Sequence, residues 1–148
     1  MLLEENDKVQ RTQNGKRICI DLDGVIHRYS KGYDNGTLYD IPTPGAIDFI
    51  NNLKEQGYTV YIFTARLLDS KDFNLALRQI EKWLEKYKVP YDHITCLKVP
   101  ADAYIDDRAV HFDGDWKKAQ KDLNKILKDR FSENNGLDWG YYHHKEVI

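Results

Sequence analysis

Short apolar runs alternate with amphipathic stretches along this chain, and that alternation constrains the fold more than any other feature of the sequence. Residues 17–22, "RICIDL", form an isoleucine-rich run of the kind that suits a strand covered on both faces of a parallel sheet. After a polar, aromatic stretch comes "IPTPGAIDFINNLKEQG", where Thr43 is placed to cap a helix, Pro44 to take its first position, and Gly57 to end it. Ala46, Ile50 and Leu53 share its apolar face. "YTVYIFTAR" reads as a second buried strand, and the next helix carries Phe73, Ala76, Leu77, Ile80, Trp83, Leu84 and Tyr87 until Pro90 stops it. Two shorter runs, "HITCL" and "AYI", precede a last helix capped by Asp113 or Asp115, with Trp116, Ala119, Leu123, Ile126 and Leu127 expected to face inward.

Strands and helices that take turns in this way predict a three-layer, Rossmann-like α/β fold: a mostly parallel sheet, helices on both faces, right-handed crossovers. A chain of 148 residues is most simply one domain, here spanning residues 1–148. The stretch at about residues 25–41 holds an Asn35-Gly36 pair suited to turning a small hairpin, so it is expected to be a flap and not a cap domain. The first fifteen residues are polar and read as frayed or as an extra strand turning at Asn14-Gly15. The tail at about residues 132–148, with His143 and His144, is aromatic enough to dock on the body or on another subunit.

Composition excludes several classes. The net charge of -2 gives no general attraction to nucleic acid. No apolar run approaches the roughly 20 residues that span a bilayer, and the start has neither a basic region nor a hydrophobic signal core, so no membrane partner and a cytoplasmic location are expected. Cys19 and Cys96 each lie inside an apolar stretch, where a free thiol behaves as a small hydrophobe.

In an open parallel sheet, ligands bind beyond the carboxyl ends of the strands. The first run ends in Asp21-Leu22-Asp23, the second in Thr64-Ala65-Arg66, the third in Lys98 and the fourth in Asp106-Asp107-Arg108. Carboxylates gathered on one rim repel one another unless a cation neutralises them, and all-oxygen ligation favours Mg²⁺. Lysine, threonine and arginine beside such an ion supply what a phosphoryl group needs: a point charge, a hydroxyl and a planar fork. Singly, each piece has an ordinary reading. Asp23-Gly24 is a turn signal, Asp106-Asp107 can cap a helix, and a surface lysine is usually just solvated. The set, ordered at four successive strand ends, points to one site.

"ICIDLDGV", "VYIFTAR", "CLK" and "AYIDDR" resemble, in order and placement, the four motifs of the haloacid dehalogenase superfamily of phosphatases, over about residues 17–127. The resemblance implies that Asp21 is the nucleophile forming an aspartyl-phosphate, and that Asp23 is the acid and base whose main-chain carbonyl also reaches the metal. It further implies that Thr64 holds a phosphate oxygen, that Lys98 pairs with Asp21 and the phosphate, and that Asp106 ligates Mg²⁺. Asp107 would ligate through water or orient Lys98. Gly24, His27, Arg66 and Arg108 stand as candidate substrate contacts, with Arg28 beside them. A short flap leaves the site open to a phosphorylated small molecule, a nucleotide, a nucleic-acid end or a phosphoprotein, unless a second subunit or the tail closes it. Two competing readings use the same residues. One is a non-catalytic phosphate-binding or regulatory module. The other is a response-regulator receiver, which places the adjacent acidic pair first and not last.

Overall fold

The computed structural model describes residues 16–131. Its elements are β1 (Arg17–Asp21), α1 (Ala46–Glu55), β2 (Thr59–Phe63), the short α2 (Arg66–Asp69), α3 (Phe73–Lys86), β3 (His93–Thr95), β4 (Ala103–Ile105) and α4 (Trp116–Arg130). The four strands form one wholly parallel sheet in the order β3-β2-β1-β4, so the expected α/β architecture is found. The described chain divides into two compact units, residues 16–29 with 38–106, and residues 30–37 with 107–131. The first fifteen residues and the aromatic tail lie outside the described residues.

The first unit is built on the two-sided burial of β1 and β2. Ile18 pairs with Val60 and Ile20 with Ile62, which puts all four on one face, and Ile50 of α1 with Ile80, Trp83 and Leu84 of α3 packs there. Each such side chain removed from water contributes about 1.5–3 kcal/mol, which is why these central strands tolerate no polar residue until their ends. Cys19 and Tyr61 point to the opposite face, where they meet Val99 and the partly buried Phe63 and Ala101. Val99 and Ala101 belong to the connection between β3 and β4, which contains no helix. It is fixed by side chains instead: the Tyr104 hydroxyl donates to the Val99 carbonyl at 2.6 Å, and Asp102 accepts the Arg17 main-chain N–H at 2.7 Å.

Two local expectations of the first 57 residues are corrected. Thr43 does not cap α1: its hydroxyl donates to the Val25 carbonyl at 2.5 Å, and the helix begins instead after Gly45, whose φ of 87° suits a residue without a side chain. The turn at Asn35-Gly36 forms, with Thr37 N–H donating to Asp34 O at 2.9 Å, but no strands flank it. A stretch of serine, glycine, lysine and aspartate lacks the alternating apolar side chains that would hold a ladder. The end of this segment nearest α1 is held by a single antiparallel bridge, His27 to Pro42.

In the second unit, α4 is capped as expected by Asp115, which accepts N–H bonds from Lys117 and Lys118 at 3.0 and 3.1 Å. The residues expected to face inward, Trp116, Ala119, Leu123, Ile126 and Leu127, are not buried, nor is any other residue of the helix, and Trp116 is 76% exposed. No helix among the described residues is long and apolar enough to cross a membrane.

Candidate active site

The parallel register brings the ends of β1, β2 and β4 side by side. Ile20 pairs with Ile105, so Asp21, the last residue of β1, and Asp106, the first beyond β4, end neighbouring strands. Each offers a carboxylate oxygen, and these lie within 4.8 Å of one another. The charge they concentrate is felt two residues back: the Cys19 thiol is pushed up to about 11, first by burial and then by the fields of Asp21 and Asp106. That thiol is therefore inert at neutral pH.

This donor set fits the hard cation that the sequence implies. Octahedral Mg²⁺ with oxygens at about 2.1 Å spans about 3 Å between adjacent ligands and about 4 Å between opposite ones, so the Asp21 and Asp106 oxygens need little adjustment to share an ion. Both carboxylates are accessible, Asp21 half-buried and Asp106 exposed.

Thr64 follows β2 and is buried, its main-chain N–H bonded to Thr95 O at 2.9 Å and its hydroxyl accepting the Arg66 N–H at 3.2 Å. Beyond β1 the chain folds back sharply, with the N–H groups of Val25, Ile26 and His27 all reaching the Leu22 carbonyl at 2.8–3.3 Å. Gly24 makes this turn possible through its φ of 83°. The turn presents Asp23 beside its two partners. Arg66 Nε donates to Asp23 Oδ2 at 2.7 Å and Nη2 to Oδ1 at 3.0 Å, while His27 Nδ1 lies 2.8 Å from Oδ1. Burial alone would raise the Asp23 carboxyl, but the hydrogen bonds from His27 and Arg66 outweigh it and the net effect is a lowered pKa.

Two residues read from sequence as substrate contacts, Arg66 and His27, are thus both engaged with Asp23. Arg66 is also buried, with its guanidinium 5.9 Å from the centre of the Tyr29 ring. Lys98 is exposed, and its amine sits 5.3 Å from the centre of the Tyr104 ring. Tyr104 pairs with Cys19 in the register, so that ring projects from the same face of the sheet as Cys19 and Asp21. Arg28 is exposed and ties its main-chain N–H to Ile41 O at 3.0 Å. Asp107 and Arg108 belong to the second unit.

Sequence reasoning missed Asp40 and Trp83 as parts of this site. The Asp40 main-chain N–H donates to His27 Nε2 at 3.1 Å, and the Trp83 indole donates to Asp40 O at 2.9 Å. No motif marks a main-chain contact of this kind. An apolar helix position occupied by tryptophan, whose N–H needs an acceptor when buried, is the one available signal.

No family model and no curated protein matches the chain. Similar solved structures are known. The crystal structure of an MCSG target from Vibrio cholerae is 25% identical, with a TM-score of 0.48 over 78% of this chain and 98% of that one. A chain of the Pnkp1/Rnl/Hen1 complex is 19% identical, with a TM-score of 0.42 over 81% of this chain and 36% of that one. A D,D-heptose 1,7-bisphosphate phosphatase from Burkholderia thailandensis is 18% identical, with a TM-score of 0.42 over 76% of this chain and 72% of that one.

Proposed function

We propose that this chain is a Mg²⁺-dependent phosphomonoester hydrolase of the haloacid dehalogenase type, working through an aspartyl-phosphate on Asp21. The observation that carries the reading is the convergence of Asp21 and Asp106 at the ends of adjacent parallel strands, with Asp23 held by donors two residues away.

In the first step the Asp21 carboxylate attacks phosphorus, the bond to the leaving oxygen breaks, and that oxygen takes a proton from Asp23. In the second, water attacks phosphorus, the bond to Asp21 breaks, and the water proton passes to Asp23. As described, Asp23 is held ionised, the form the second step needs. Keeping that proton for the next first step, as an acid must, requires the Arg66 fork to loosen once the proton has arrived. The Thr64 hydroxyl and the Lys98 amine are the phosphate holders, the lysine after leaving the Tyr104 ring. Asp21, Asp106 and the main-chain carbonyl of Asp23 are the residues that would hold Mg²⁺, whose charge offsets the repulsion between a carboxylate nucleophile and a phosphate dianion. The substrate class is a phosphomonoester, borne on a small metabolite, a nucleotide or a nucleic-acid end.

Purified protein should hydrolyse p-nitrophenyl phosphate with Mg²⁺ and lose that activity in EDTA and in Asp21→Asn. Turnover that survives in Asp21→Asn overturns the reading.

A further inference from the structure

His27 is completely shielded from solvent, yet it uses both ring nitrogens. Nε2 accepts the Asp40 main-chain N–H, and a nitrogen that accepts such a bond carries no proton. The ring proton therefore sits on Nδ1 and is donated to Asp23 Oδ1 across 2.8 Å. The ring cannot swing. Trp83 and Tyr39 meet it edge-on at 5.2 and 5.4 Å between centroids, and Tyr29 closes a third side at 5.7 Å. Trp83 also bonds Asp40 O, so one indole contacts the ring and ties down the residue whose N–H sets its tautomer. A leucine would fill this space without two polar atoms to satisfy. What the imidazole adds is a direction for one carboxylate.

We propose that His27 is a positioning residue which, together with Arg66, fixes the Asp23 carboxylate in one orientation, so that it takes the proton of the hydrolytic water in the second half of the reaction. The inference rests on the phosphatase reading above. In that half, the water oxygen bonds to phosphorus, the phosphorus–oxygen bond to Asp21 breaks with its electron pair returning to the Asp21 carboxylate, and the water proton goes to Asp23. A freed carboxylate turns about two single bonds, and misplacement of about 1 Å costs about 10²-fold in rate.

The test is rapid mixing of the full chain with Mg²⁺ and p-nitrophenyl phosphate, whose phenolate leaves without help from an acid. His27→Phe keeps an aromatic ring in place but lacks the N–H. It should release about one equivalent of p-nitrophenol in a burst and then turn over about 10²-fold more slowly than wild type. His27→Asn, whose amide stands where Nδ1 stood, should recover most of the steady rate and lose the burst. His27→Gln, whose amide reaches the Nε2 position, should keep the burst, and the Asn and Gln pair carries the test if the Phe variant fails to fold. Equal slowing of burst and steady phases, or no difference between His27→Asn and His27→Gln, overturns the proposal, since loss of packing alone would do that.

The ¹⁵N signals of the imidazole separate this proposal from the reading beneath it. A protonated Nδ1 with a bare Nε2, disturbed in Asp23→Asn, supports the contact; a bare Nδ1 overturns it. If wild type shows no turnover, the phosphatase reading falls and the proposed step falls with it, whatever the ring signals show.

Discussion

The Arg66 guanidinium holds Asp23 with two prongs, Nε on Oδ2 and Nη2 on Oδ1, across 43 residues of sequence. With the two side chains only 8% and 21% exposed, this pair differs from a surface ion pair worth about 0–1 kcal/mol. Arg66→Ala leaves a largely desolvated carboxylate with the His27 bond and no cation. It should lower stability by about 2–4 kcal/mol in urea unfolding. Arg66→Lys should recover only part, because an ammonium cannot replace a planar fork.

Asp23 also ties stability to pH. Its folded pKa lies below the ordinary carboxylate value, so the unfolded chain binds more protons. The stabilisation is complete above the unfolded value of about 3.9 and is lost as pH falls through the folded one. The stability gap between wild type and Asp23→Asn should therefore be constant near neutrality and narrow below about pH 4, as denaturation series at fixed pH will read. A gap unchanged down to pH 3 contradicts this.

Metal binding should appear without any substrate. Mg²⁺ at about 100 times its dissociation constant adds about 2.7 kcal/mol to a protein that binds it only when folded. The melting temperature of wild type should climb with Mg²⁺ and fall back with EDTA, whereas Asp106→Asn should respond weakly. An equal response in both removes Asp106 from the ligand set.

Two further substitutions probe the framework. Trp83→Phe keeps an aromatic ring among Ile80, Leu84 and Val89 but loses the bond to Asp40 O, and should cost about 1 kcal/mol. Asp115→Ala removes the cap of α4 and should cost about 1 kcal/mol, visible as a loss of helical circular dichroism on warming.

The sequence shows clearly what depends on local pattern. β1 and β2 are legible because burial on both faces demands continuous apolar runs, and Asp21, Thr64 and Asp106 are legible because each follows such a run. The failures share a cause in distant partners. Thr43-Pro44 looks like a helix start, but the Thr43 hydroxyl finds the Val25 carbonyl eighteen residues away. The spacing of Trp116, Leu123 and Leu127 correctly marks one face of α4, yet periodicity cannot say whether that face meets a core, and those three residues are 76%, 39% and 42% exposed. A sequence motif likewise shows the polar groups of Arg66 and His27 without the partner they share. The Asp23 carboxylate that engages both becomes visible only once the turn at Gly24 is built.

The most direct measurement is chemical trapping of the intermediate. The protein is incubated with Mg²⁺ and a phosphomonoester labelled in its phosphoryl group, quenched in acid, and mapped by peptide. Label is expected on the peptide that contains Asp21, absent from Asp21→Asn and reduced when Mg²⁺ is withdrawn. Steady hydrolysis with no label on that peptide, or label on a different residue, would contradict an intermediate on Asp21.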